Sequence, residues 1–246
     1  MRGFLVAAQF LTRFNFGNHA NLWSEQNCGA SVKFFPLVGV LLGASYFLTV
    51  EVLQYFGVFP RAVLAVLLFV LTVYLTGGIF FDGFMDSADG IFSGREREKS
   101  LAIMKDSRVG ANAVMAFVSV ALLESAAFFS LSPMFLSAVV FVVPIIGRFV
   151  TALAIVLFPY ARPQGLGKAF HDFADRKMTL LTATATTLIF VVPFGAKCAL
   201  ALLVAAAAGL LFCRRASKFL GGLTGDVYGA ATIIAECVAL LCFVAR

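Results

Sequence analysis

Cysteine and histidine are scarce in this chain and poorly placed for soft-metal chemistry. Its five cysteines, Cys28, Cys198, Cys213, Cys237 and Cys242, include no CxxC pair, four lie within or beside apolar runs, and only two histidines occur. That spacing excludes a disulfide framework and a zinc site and leaves the cysteines as packing residues. No long polar stretch interrupts the sequence, which argues against a soluble appendage. No small-residue cleavage site follows the opening MRGFLVAAQFLTRFNFG, and Arg13 breaks its apolar run, so a cleaved signal peptide is not expected. An interfacial or half-inserted helix suits the segment better, with Phe4, Leu5, Phe10, Leu11 and Phe14 resting at headgroup level. Apart from the short alanine run at 205–208 there is no low-complexity tract and no helical-repeat period.

Apolar residues, by contrast, are abundant. They make up 61% of the chain, with a mean hydropathy of +0.96, against roughly 45–50% in a soluble domain. The 246 residues have room for several membrane spans and little else, about seven at 20 residues each. We therefore expect an all-α, polytopic membrane helix bundle formed as one domain over 1–246, with lipid as its surroundings and an N-terminal interfacial helix. Apolar runs at 34–56, 60–81, 109–131, 134–158, 178–195, 197–213 and 228–245 are the expected spans. Tight connections alternate with long polar ones at 82–108, 159–177 and 214–227, which all fall on one side.

The net charge of +6 then records orientation rather than nucleic-acid binding. Of 19 basic residues, 15 lie in the N-terminal segment and the long connections, Arg61, Lys197 and Arg246 lie opposite, and Arg148 is inside a span. The asymmetry places the long connections in the cytoplasm of a cell with the chain in its inner membrane. Glu51, Glu124 and Glu236 stand at membrane depth, where Glu124 could pair with Arg148. A transporter using these groups as a polar path is the reading from a different functional class.

The stretch FFDGFMDSADGIFSG places Asp82, Asp86 and Asp89 at i, i+4 and i+7, one stripe of a helix that continues past residue 81. At about 6 Å and an effective dielectric of 20, adjacent carboxylates repel by roughly 3 kcal/mol, so a buried stripe calls for a cation. Hard oxygen donors without nearby His or Cys favour Mg²⁺, or Mn²⁺, over zinc. An acidic solvated loop with one Asp capping the next helix is the plainer alternative. Gly77, Gly78, Gly83, Gly90 and Gly94 would let backbone approach a ligand, and Arg95, Arg97, Lys99, Lys105 and Arg108 follow. Metal carboxylates beside cations suit a diphosphate, whose charge they neutralise during phosphoryl transfer. Topogenic and headgroup-binding charge is the competing account of Arg95, Arg97 and Lys99.

Two further segments are glycine-rich turns that open helices: YARPQGLGKAFHD, with Arg162, Gly165, Gly167, Lys168 and His171, and GGLTGDVYGA, with Gly221, Gly222, Gly225 and Asp226. Such turns expose N–H groups suited to phosphate. Asp226 would be a metal ligand, a proton acceptor or simply a helix cap, and His171 is expected at the surface.

These residues resemble the cobalamin-5′-phosphate synthase family, also called adenosylcobinamide-GDP ribazoletransferases, whose hallmark runs close to HLDGLADTADG, then a basic segment and MKDSRxG. Here the stretches read FFDGFMDSADG and MKDSRVG, and the likeness extends to FLTRF, FFPLVGVLLG at 34–43, YAR..GLG at 160–167 and GGLTGD at 221–226. Phe80 stands where the family usually has a histidine two residues before the first Asp. The resemblance implies that adenosylcobinamide-GDP and α-ribazole, or its 5′-phosphate, yield adenosylcobalamin, or its phosphate, plus GMP. On that reading Asp82, Asp86 and Asp89 hold the metal and Asp89 or Asp226 accepts the hydroxyl proton. Arg95, Lys105, Asp106, Arg108, Arg162 and Gly222 bind substrate, with Asp106 ligating metal or orienting Arg108. A CDP-alcohol phosphotransferase is the nearest rival, since Asp86–Gly90 satisfies its DxxDG opening, but Ser93 and Gly94 replace its AR dipeptide. An oligomeric state is left open by the sequence.

Overall fold

The structure, a computed structural model, describes residues 2–17 and 22–245. Arg246, counted above on the short-connection side, lies outside them. Hydrocarbon offers backbone groups no partner but one another, so the apolar runs become helices. There are α1 (Arg2–Leu11), α2 (Glu25–Ser31), α3 (Phe35–Tyr55), α4 (Arg61–Thr76), α5 (Ile79–Ile91) and α6 (Arg97–Ile103). They are followed by α7 (Ala111–Ser130), α8 (Pro133–Leu157), α9 (Leu166–Asp172), α10 (Arg176–Val191), α11 (Ala196–Leu220) and α12 (Gly225–Val244). Among the described residues the only extended pairing is an isolated parallel bridge between Tyr160 and Leu223. The all-α expectation holds.

Among the described residues, six helical segments are long and apolar enough to cross a membrane: 25–55, α7, α8, 176–194, α11 and α12. The chain is a multi-pass membrane protein. The expected seventh span does not run straight from 60 to 81. α4 stops at Thr76, and α5 leaves at 93°, because Gly77 and Gly78 take φ of 65° and 75°, a left-handed pair that ends a right-handed helix. These two glycines therefore break the helix rather than open it to a ligand. The three aspartates share one helix, as their spacing requires, but it is α5. The next connection is likewise partly helical, and α11 extends seven residues past the expected end at 213. Arg214, Arg215 and Lys218 thus sit on its last turns, where cations complement the helix dipole.

α8 is the axis of the bundle, with 83% of its most apolar window buried. α3, α12, α10 and α11 pack around it. Without a hydrophobic drive between helices in lipid, close backbone approach supplies the attraction. Gly39 and Gly43 provide it, since a Cβ on Gly43 would meet the Phe141 carbonyl oxygen at 2.2 Å. We expect Gly43→Leu to force α3 off α8 and to destabilise by about 3 kcal/mol or more, read as a lowered thermal midpoint in detergent. An unchanged midpoint would show that this approach is not needed.

α1 lays its inner face on the bundle. Val6, Ala7, Ala8 and Leu11 are fully buried, while Phe4, Leu5, Phe10 and Phe14 pack half-buried against the core. The segment after α1 is tied down by Arg13, whose N–H donates to the Leu75 carbonyl at 2.8 Å and whose guanidinium lies 5.5 Å from the centre of the Tyr74 ring. The end of α4 is thereby capped from a distance in sequence. Inside the bundle, Arg148 pairs with Glu236 rather than with Glu124, and Glu51 accepts from the Ser137 hydroxyl. All five cysteines are free, three of them buried, as packing residues would be.

Candidate active site

α5 crosses the start of α12 at close quarters. A Cβ on Gly83 would meet the Asp226 carbonyl oxygen at 2.8 Å, and one on Gly229 would meet that of Phe80 at 3.0 Å. The first glycine of the Asp-rich stretch and the last of GGLTGDVYGA are thus a matched contact. A second junction joins the other glycine-rich segments: the Ala161 N–H donates to the Leu223 carbonyl and the Leu223 N–H to that of Pro159, both at 2.8 Å. Gly222 makes this junction with φ of 147°, and a Cβ there would lie 2.8 Å from Ala161 N and Pro159 O. Its role is to seat the turn, and any binding contribution comes through that placement.

These contacts enclose a cavity of about 540 Å³, within the usual range for a small-ligand pocket. Asp82, Lys105, Arg162 and Asp226 line it together with Gly165, Gly167, Gly225 and Gly229. The Arg162 guanidinium donates to the Asp226 carboxylate at 2.7 Å, and the Thr224 hydroxyl donates to the same oxygen. Arg162 Nε has no partner among the described residues. Three segments the sequence had marked separately therefore meet at one place.

The remaining sequence candidates divide. Asp86, one turn after Asp82, is half-buried and senses Asp226 most strongly, then Asp82, with Asp89 further off. No described residue donates a side-chain or backbone hydrogen bond to Asp82 or Asp86 through a contact seen here. Asp89 is otherwise engaged: its carboxylate oxygens accept the Gly110 N–H at 2.6 Å and the Ala113 N–H at 2.9 Å. It caps α7 from a neighbouring helix, so the plainer alternative weighed for the triplet is realised at this residue. Asp89→Ala should cost about 1–2 kcal/mol of stability, as the loss of a helix cap does, checked by denaturation of the purified protein.

Arg95 is exposed and, with Arg108, stands away from the cavity lining. Asp106 orients Arg108 through paired hydrogen bonds, and the Arg108 guanidinium holds the Asp106 carboxyl down at about 2. Of the residues expected to form a second wall, Lys105 lines this cavity. Arg97 donates from Nε to the Leu220 carbonyl at 2.7 Å, finishing α11. His171 is partly exposed, bonds Asp172 through Nδ1 and lies beside the Tyr160 ring.

Among the described residues no three acidic, His or Cys side chains converge closely enough to hold a metal as they stand. The donor chemistry nonetheless fits a hard divalent ion in part. Asp82 and Asp86 are successive on one helix face, about 6 Å apart at Cβ, take no hydrogen bond from the described residues, and have Asp226 within electrostatic reach of Asp86 and in the same cavity lining as Asp82.

The apolar lining was not foreseen. Phe10 and Leu11 come from α1, Phe35 from α3, Phe170 from α9, with Tyr160 and Tyr228 between. FLTRF and FFPLVG carried the only signal, as segments of the family likeness without an assigned role.

The sequence profile described as cobalamin-5-phosphate synthase matches residues 3–244. The chain belongs to the cobalamin-5-phosphate synthase family. Among curated relatives, an adenosylcobinamide-GDP ribazoletransferase of Desulfitobacterium hafniense (strain Y51) is 38% identical over 98% of this chain and 96% of its own length. One from Syntrophobacter fumaroxidans (strain DSM 10017 / MPOB) is 38% identical over 96% of each chain. One from Acinetobacter baumannii (strain ACICU) is 32% identical over 99% of this chain and 97% of its own. No solved structure matches the chain. Membership of the cobalamin-5-phosphate synthase family bears out the likeness seen in six segments and displaces the phospholipid-synthesis and transporter readings. In this family member Phe80, two residues before the first Asp, lies 4.3 Å below the Arg148 guanidinium, measured to the ring centre.

Proposed function

We propose that this chain joins adenosylcobinamide-GDP to α-ribazole, or to its 5′-phosphate, forming adenosylcobalamin, or its phosphate, and releasing GMP at the cytoplasmic face of the inner membrane. The single observation that carries this reading is the convergence of Asp82, Lys105, Arg162 and Asp226 on one cavity in a chain of this family. A ribazole hydroxyl attacks the phosphorus bonded to cobinamide. A P–O bond forms there, the bond to the GMP phosphate breaks, and the electron pair leaves with GMP.

Lys105 and the free N–H groups of Arg162 grip the phosphates and offset charge on the equatorial oxygens. Arg162 is already oriented by Asp226, so little freedom is lost on binding. Of the two carboxylates weighed for the hydroxyl proton, Asp226 lines the cavity while Asp89 is occupied at α7. The proton is assigned to Asp226. Asp82 and Asp86 are the residues that would hold Mg²⁺, which would supply Lewis-acid neutralisation of the diphosphate.

The test is product analysis with purified protein, adenosylcobinamide-GDP, α-ribazole phosphate and Mg²⁺, beside CDP-diacylglycerol as control donor. GMP release with the first donor, absent with the second and abolished by EDTA, is expected. Undiminished turnover in metal-free buffer would remove the ion from the mechanism, and turnover of the CDP donor alone would overturn the assignment.

A further inference from the structure

The cavity is built from two chemically different sides. Helices α5 and α12, with Lys105 and Arg162, supply its charged groups, while α1, α3 and α9 supply Phe10, Phe35 and Phe170. The three rings form one cluster: Phe10 and Phe170 lie 4.6 Å apart between centres with their planes at 34°, and Phe35 and Phe170 lie 5.8 Å apart at 67°. Phe35 and Phe170 are 1% and 2% exposed and so offer a ligand almost no surface, while Phe10, packed on Phe170, is only half-buried and is the ring of the three with surface to present. Phosphate chemistry uses none of this surface.

We infer that this aromatic side binds the base of the acceptor nucleoside, with Phe10 presenting its ring and Phe35 and Phe170 holding that ring in place. The inference rests on the reaction proposed above and assigns one of its substrates to a subsite. Size is the first reason. A volume of about 540 Å³ suits one nucleotide-sized molecule, whereas a corrin ring with its amide side chains and adenosyl ligand is several times larger. The donor therefore reaches the cavity by its diphosphate, and the acceptor is the substrate small enough to lie within.

Polarity is the second reason. Guanine carries donors and acceptors along its edge that cost free energy when buried without partners. The phenylalanine rings offer none, Thr151 is already bonded to Gly147 and Thr232, and the neutral polar side chains left in the lining are Gln164, Tyr160 and Tyr228, the last with a hydroxyl that has no partner among the described residues. The dimethylbenzimidazole of α-ribazole has large apolar faces and almost no such edge, so the same surface suits it. With its base here, its ribose points toward Arg162 and Asp226 on the charged side, where the attacking hydroxyl is needed.

The test measures α-ribazole phosphate binding by titration calorimetry on the full chain in nanodiscs, without donor, and steady-state KM values for both substrates. Phe10→Ala, at a half-buried position, should raise the acceptor Kd and KM by about tenfold, as loss of a stacking ring does, and Phe170→Leu, which keeps apolar volume but removes the ring against which Phe10 packs, should raise them in the same direction. The donor KM and inhibition by GMP should stay as in the unmodified protein. Unchanged acceptor Kd in both variants would overturn the subsite, and so would weakened GMP inhibition with the acceptor unaffected. If the unmodified chain binds α-ribazole phosphate and the variants weaken it, yet no product forms, the subsite stands and the proposed reaction falls. If product forms and the acceptor Kd ignores both substitutions, the reaction stands and the subsite falls.

Discussion

Asp82→Asn should lower kcat by about 10²- to 10³-fold, the scale at which a preorganised charge-stabilising group is lost from a transition state, while the thermal midpoint stays unchanged. The two readouts separate because of where Asp82 sits. Its side chain is exposed in the cavity lining and takes no hydrogen bond from the described residues. Asparagine keeps the shape and removes the charge, so no structural contact is lost. Asp86→Asn should follow the same pattern. The comparison with Asp89→Ala sharpens the result, since that substitution removes a helix cap and is expected to move stability first. Saturating donor and acceptor, with Mg²⁺ varied, give kcat for each variant. Near-normal kcat in both Asp82→Asn and Asp86→Asn would refute their proposed role at the diphosphate.

Replacing Arg148 by Met should be the most destabilising substitution among the polar residues of the bundle. Arg148 is 2% exposed, pairs with Glu236 across α8 and α12, and covers the Phe80 ring. Glu124, on α7, is 4% exposed with one carboxylate oxygen lacking a partner, and it lies close enough to interact with both. Removing the single cation leaves two acidic groups in a low-dielectric interior. Breaking a buried pair in this way costs about 3–5 kcal/mol, which for a chain of this size is a fall of about 10 °C in the unfolding midpoint. The double variant Arg148→Met with Glu236→Met should recover part of the loss, because the orphaned carboxylate is removed with its partner. Scanning fluorimetry of nanodisc-embedded protein measures both. An unchanged midpoint in Arg148→Met would mean that the pair does not support the fold.

The departures from the sequence reading have a common cause. The Gly77–Gly78 pair was visible, yet glycines also serve ligand approach and helix packing, and only the backbone angles distinguish a break from these uses. Asp89 has the spacing of a third ligand, but its partners Gly110 and Ala113 lie 21 and 24 residues away. The sequence offered Glu124 as the partner for Arg148, and Glu236 takes that place, since hydropathy gives depth along a helix and not the face toward a neighbour. The aromatic side of the cavity was hidden for the same reason: Phe10 and Phe170 look like ordinary apolar residues until α1 and α9 meet.

Sequence alone determined the helical class, the membrane setting, the family and the segments that meet at the cavity, because apolar run length, charge and motif spacing are local properties written along the chain. Tertiary structure decided which of those groups work together. It brought Arg162 to Asp226 across 64 residues, withdrew Asp89 to α7 and placed three phenylalanines opposite the charged groups. Such pairings depend on how helices cross and turn toward one another, and crossings are set by packing between distant segments, which no local pattern records.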